Sequence, residues 1–175
     1  MRNLCVSLSL LLLTFPLAAG GQKRDPLTQA QADQIANVGG SPPDRIKLYI
    51  KFLNERAEVI KELTNRAASA ARGRRLDDEL QMFTALMDEL ASNLDEYGDR
   101  KADLRTALGP LTEAAPRWLN ILRTLAGDSG FAVARKEAIE SGEDLDDQAK
   151  RLLSEQNTYF GAHKDQSGQD RVEPQ

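Results

Sequence analysis

From Leu76 to Leu125 the chain carries a seven-residue repeat that restricts it to helical folds with a buried seam. One edge of the repeat reads Leu76, Phe83, Leu90, Tyr97, Leu104, Leu111, Trp118 and Leu125; the other reads Leu80, Met87, Leu94, Lys101, Leu108, Ala115 and Leu122. Fourteen of these fifteen positions are apolar, where a composition that is 41% hydrophobic would fill about six by chance. Spacing that alternates between four and three residues lays one apolar stripe along a helix, the seam of coiled-coil-like packing. A lone helix cannot bury such a stripe, so the repeat demands partner helices from the rest of the chain.

Those partners are marked by caps and turns. Thr28 with Gln31 forms a capping box that opens a short helix through Ile35 and Val38, closed by Gly39-Gly40. Ser41-Pro42-Pro43-Asp44 is a stronger start, because proline at the first helical position loses only an N–H that has no intrahelical acceptor. With no internal glycine or proline, that helix is expected to run to Arg72, and Gly73 within Arg72-Gly73-Arg74-Arg75 to reverse the chain. The seam helix then begins at Leu76. Its phase persists through Leu104, Leu108, Leu111, Ala115 and Trp118, so the spacing predicts one helix kinked, or else split, at Gly109-Pro110. After Gly127-Asp128-Ser129-Gly130 a last helix carries Phe131, Ala138, Leu145, Leu152 and Tyr159, with a potential interruption at Ser141-Gly142-Glu143-Asp144.

The predicted fold is therefore all-α: an elongated antiparallel helical bundle, or coiled-coil-like hairpin, of three long helices plus a short N-terminal one. At 1.5 Å per residue the first long helix spans roughly 45 Å and a continuous second one roughly 75 Å. The mismatch predicts a thicker end of three or four helices and a thinner two-helix arm tipped by Arg72 to Arg75. Residues 22–40 are read as polar spacer and short helix, 41–160 as a single helical domain, and 161–175 as a disordered tail without apolar periodicity.

Residues 1–21 have the form of a cleaved signal peptide. Arg2 supplies the positive charge, Leu4 to Phe15 the apolar run, and Ala18-Ala19-Gly20-Gly21 the small residues that signal peptidase accepts. The run is shorter than the roughly 20 apolar residues of a membrane span, so no stable span is expected after cleavage. The expected location is periplasmic or extracellular. Cys5, the only cysteine, lies within the removed segment, so stability must come from packing without disulfides.

Chemistry is thinly provided. His163 is the only histidine, which excludes a histidine-based triad or a multi-histidine metal site, and no cofactor is expected. The carboxylates Glu137, Glu140, Glu143, Asp144, Asp146 and Asp147 lack the ligand spacing of a calcium loop. Pairs such as Asp146 with Lys150, Asp147 with Arg151, Glu62 with Arg66, Glu96 with Arg100 and Glu113 with Arg117 account for many charges as solvated helix faces. An enzyme would need a concave pocket lined by carboxylates such as Glu113 or Asp103.

The candidate partner-contact residues are Arg72, Arg74 and Arg75, which form the one basic cluster, and Lys101, the one charge on the seam. A formal charge of −4 argues against nucleic acid as partner. The expected function is that of an exported, non-enzymatic interaction or structural protein, monomer or homodimer, binding a protein or a cell-envelope component. Leu27-Thr28-Gln29-Ala30-Gln31 also resembles the Leu-Thr-x-x-Gln motif of periplasmic stress chaperones of the Spy/CpxP type. That resemblance implies a helical hairpin that shields unfolded clients. A second copy of the motif is not present, since Leu63-Thr64 and Leu111-Thr112 lack the following Gln.

Overall fold

A computed structural model describes residues 25–127 and 129–168, so the expected signal segment and the last seven residues lie outside the described part. The protein is all-helical: α1 Gln29–Asn37, α2 Pro42–Thr64, α3 Ala70–Asp99, α4 Arg105–Thr124 and α5 Ala132–Ala162, followed by a 3-10 turn at Lys164–Gln166, with no strand among the described residues. Four helices are long where three were expected.

All fourteen apolar seam residues from Leu76 to Leu125 are buried, yet they do not share a helix. The chain reverses at residues 100–104, well before Gly109-Pro110. The end of α3 has the pattern of a Schellman motif: Ala102 N–H bonds Tyr97 C=O (3.0 Å) and Lys101 N–H bonds Gly98 C=O (2.9 Å). Lys101 takes the left-handed position with φ 56°, where glycine is usual. The seam keeps its phase because α3 and α4 both face one core, and the reversal spends Lys101 on the position that the repeat left polar.

Gly109 and Pro110 lie inside α4, as does Pro116. Both prolines are exposed, and so is Thr106, whose carbonyl loses its usual donor at Pro110; water can supply one instead. The helix therefore continues through Gly109-Pro110, and the split lies instead at residues 100–104.

The turn between α2 and α3 is also displaced. Helix α2 stops at Thr64, because no large apolar residue occurs between Leu63 and Leu76 to hold a longer helix against the core. Ser69 caps α3 by accepting a hydrogen bond from Arg72 N–H (3.1 Å), and Gly73 is buried within α3 rather than turning the chain. Helix α5 is uninterrupted at Ser141–Asp144, with Gly142 buried close to Leu119 and Met87. Residues 161–168, expected to be tail, finish α5 and form the 3-10 turn.

Cross-helix bonds set direction and register. Arg56 to Glu79, Tyr49 to Glu89 and Arg45 to Tyr97 run α2 against α3 in opposite senses. Ser141 to Asp88 and Gln148 to Asp95 share an offset of 53 residues, so α3 and α5 run in the same sense. Helices α2 and α5 each pack closely on both α3 and α4, whereas the α3 and α4 backbones stay apart and meet across the core through side chains such as Phe83 and Trp118, whose rings pack edge to face with centroids 6.0 Å apart. Residues 100–104 therefore cross from one side of the core to the other. Gln156 of α5 braces that crossing: its Oε1 accepts from Leu104 N–H (2.8 Å) and its Nε2 donates to Ala102 C=O (2.9 Å).

Helix α1, opened by the capping box between Thr28 and Gln31, is held on α2 by Ile35 and by Gln31 Nε2, which reaches Glu55 (3.5 Å). Arg56 ties this region down, bonding Glu79 (2.6 Å) and the Pro26 carbonyl (2.8 Å) from a largely buried position.

Candidate partner-contact site

The four residues singled out from sequence fall at opposite ends of α3. Arg72, Arg74 and Arg75 lie in its first two turns and Lys101 just past its last, so 29 residues, about 43 Å of helical rise, separate Arg72 from Lys101. They do not form one site.

Arg72 is spent on the turn. Its Nη1 donates to the Arg66 carbonyl (2.8 Å) and its backbone N–H is held by Ser69, while its buried Nε has no partner. Arg74, Arg75 and Arg66 are exposed, and none makes a side-chain ion pair or hydrogen bond among the described residues. The nearby carboxylates do not pair with them. Glu79 is paired with Arg56, Asp77 accepts from Gln81 Nε2 (2.8 Å), and Asp78 is engaged as well. Of the expected pairs, Asp146 with Lys150 and Glu96 with Arg100 are formed, whereas Glu62 with Arg66, Asp147 with Arg151 and Glu113 with Arg117 are not. Between residues 65 and 75 there are four arginines and no acidic residue, in a chain with 27 acidic side chains against 23 basic ones. No acidic residue sits in the first turn of α3 to offset its dipole, so this cation cluster occupies the positive end of a helix.

The cluster also projects. The offset of 53 between α3 and α5 sets Ala132, the first residue of α5, level with Glu79. Nine residues of α3, about 13 Å, extend past that level. Arg123, near the end of α4, bonds Glu143 (2.5 Å) and so stands level with Leu90. The exposed arginines thus lie beyond the ends of both α4 and α5.

At the opposite end, the crossing segment carries the densest polar network. Asp103 accepts from Arg105 Nε (2.8 Å) and Nη2 (2.7 Å), from Gly168 N–H (2.9 Å) and from Ser167 Oγ (3.2 Å). The Arg105 hydrogen bonds lower the Asp103 carboxyl to about 2, against the opposing effect of burial and with help from the Gly168 and Arg105 N–H groups. Arg105 also lies over the Phe160 ring, 4.7 Å from its centroid. Asp103 is thereby committed to holding the C-terminal turn, and Glu113 is exposed on α4, so the two carboxylates weighed for an enzyme do not converge. Next to this network, Gly98, Lys101, Leu152, Glu155, Tyr159 and Phe160 line a cleft of about 160 Å³.

Other buried polar groups join helix to helix. Trp118 Nε1 bonds Asn54 Oδ1 (2.8 Å), and Tyr49 OH bonds Glu89 (2.5 Å), its phenol pushed up by burial and then by that carboxylate. Sequence reasoning missed Gln156, Asn54 and Arg56 as cross-braces. Arg56 and Gln156 carried a signal, since Arg56 lies seven residues from both Tyr49 and Leu63 on an otherwise apolar heptad edge, and Gln156 lies seven residues beyond Ala149. The residues of the Leu-Thr-x-x-Gln motif serve locally. Thr28 and Gln31 cap α1, and Leu27 packs on the core. No protein-family model, curated protein or solved structure matches this chain.

Proposed function

We propose that this chain is an exported, non-enzymatic helical interaction protein. It forms an elongated, antiparallel, coiled-coil-like bundle that meets an anionic cell-envelope partner through its basic tip. The observation that carries this reading is the exposure of Arg66, Arg74 and Arg75 without side-chain partners among the described residues, while Glu79 is drawn across to Arg56. A fold gains nothing from like charges gathered at the positive end of a helix, so their use lies in what they contact.

The test is retention on envelope material from the source cell. The wild-type chain sediments with it, and the Arg74→Glu/Arg75→Glu variant, helical by circular dichroism, stays in solution. Equal sedimentation of the two forms overturns the reading. The Spy/CpxP-like chaperone alternative requires apolar surface for clients. Val133 is the one exposed large hydrophobic residue among those described, which favours the charged-tip reading. Suppression of aggregation of an unfolded client at equimolar ratio would reverse that preference.

A further inference from the structure

The anionic partner can be named by class. We infer that the tip binds a planar anionic lipid surface, end on, through Arg66, Arg74 and Arg75; this rests on the reading of the tip as the contact site. Three observations separate a lipid surface from an acidic protein.

The first is shape. The tip lies past the ends of α4 and α5, so a flat surface can approach it without meeting either helix. The second is side-chain chemistry. Between the arginines stand only Ala67, Ala68, Ser69, Ala70, Ala71 and Gly73, and no aromatic side chain is exposed there. Protein interfaces draw their affinity from aromatic and large aliphatic anchors seated in pockets, and this tip offers none. Guanidinium groups on a small-residue surface suit phosphodiester headgroups, which need charge and hydrogen bonds but no cavity. The third is charge segregation. The arginine stretch has no carboxylate, while the remainder of the chain is more acidic than the net −4 of the whole, so an anionic surface attracts the tip and repels the body. The molecule is thereby oriented with its long axis away from the surface. With no large apolar residue at the tip, the association is peripheral and salt-sensitive.

Each basic residue at an anionic membrane surface is worth about 1 kcal/mol, roughly five-fold in partition, so three exposed arginines favour anionic over neutral vesicles on the order of a hundred-fold. The experiment measures partition of the full chain, with the signal segment removed, onto phosphatidylglycerol-containing vesicles and onto pure phosphatidylcholine vesicles. It also measures retention on immobilised polyglutamate.

The expected result is a preference of about a hundred-fold for the anionic vesicles, falling steeply at 0.5 M salt, where the Debye length is about 4 Å. Arg74→Glu lowers binding at least five-fold. Lys101→Glu, which changes net charge equally at the other end of α3, leaves it unchanged. Equal loss in the two variants means that net charge alone acts, and overturns the end-on geometry. Salt-sensitive retention on polyglutamate without vesicle binding overturns the lipid assignment and keeps the tip as an acidic-protein site. Binding to neither overturns both this inference and the reading beneath it.

Discussion

Replacing Gln156 by leucine tests whether the crossing segment is held by one side chain. Gln156 is 8% exposed and satisfies two main-chain groups, the Leu104 N–H and the Ala102 C=O, on residues themselves 0% and 3% exposed. Leucine fills nearly the same volume but bonds neither group. A buried donor or acceptor left unpaired costs about 1–3 kcal/mol, two are stranded here, and the added apolar burial returns about 1, so Gln156→Leu should destabilise the fold by about 1–5 kcal/mol. Gln148→Leu supplies the control. Gln148 is also 8% exposed, but its Nε2 bonds the Ala91 carbonyl, which already belongs to the α3 ladder, and the exposed Asp95, which water can solvate. Its loss strands nothing and should cost less than about 1 kcal/mol. Urea unfolding of both variants, read at unchanged m, measures the difference. Equal losses, or a Gln156→Leu effect below about 0.5 kcal/mol, would refute the assignment of the brace.

Three further outcomes follow from the same packing. Gly109→Ala should stabilise by about 0.5–1 kcal/mol, since a methyl there meets nothing within 4 Å, whereas Gly142→Val should cost about 1–3 kcal/mol, because a Cβ at Gly142 already lies 3.0 Å from Leu119 Cδ2; thermal unfolding distinguishes them. Lys101→Gly should raise stability by about 1 kcal/mol by relieving a left-handed conformation in a side-chain-bearing residue, and an unchanged denaturation midpoint would contradict the φ of 56°. Asp103 titrates near 2 when folded, below its unfolded value, so its contribution is complete above about pH 4 and is lost as pH falls towards 2; Asp103→Asn should flatten stability across that window while lowering it at neutral pH.

Much of the helical layout was legible one residue at a time. Thr28 and Gln31 mark the start of α1, Pro42 that of α2, and the fourteen apolar seam residues the core, because caps and burial depend on local chemistry and on side-chain type. The basic tip was legible as composition but not as a site. Only the structure shows Glu79 drawn across to Arg56, and Arg72 folded back on Arg66, leaving the side chains of Arg66, Arg74 and Arg75 without partners among the described residues.

By itself the sequence determined that the chain is helical and which faces are buried. Tertiary structure decided where the helices end. Gly109-Pro110 left a kink or a split open, and α4 passes through it unsplit, since its prolines and the residue of the freed carbonyl, Thr106, are exposed. Lys101 looked like a flaw in a continuous seam, yet it turns the chain, since Gln156, 52 and 54 residues away from the two groups it bonds, makes the crossing affordable. A heptad records which residues meet the core and is silent on how many helices deliver them. That number depends on long-range partners for a few main-chain groups, which no local spacing encodes.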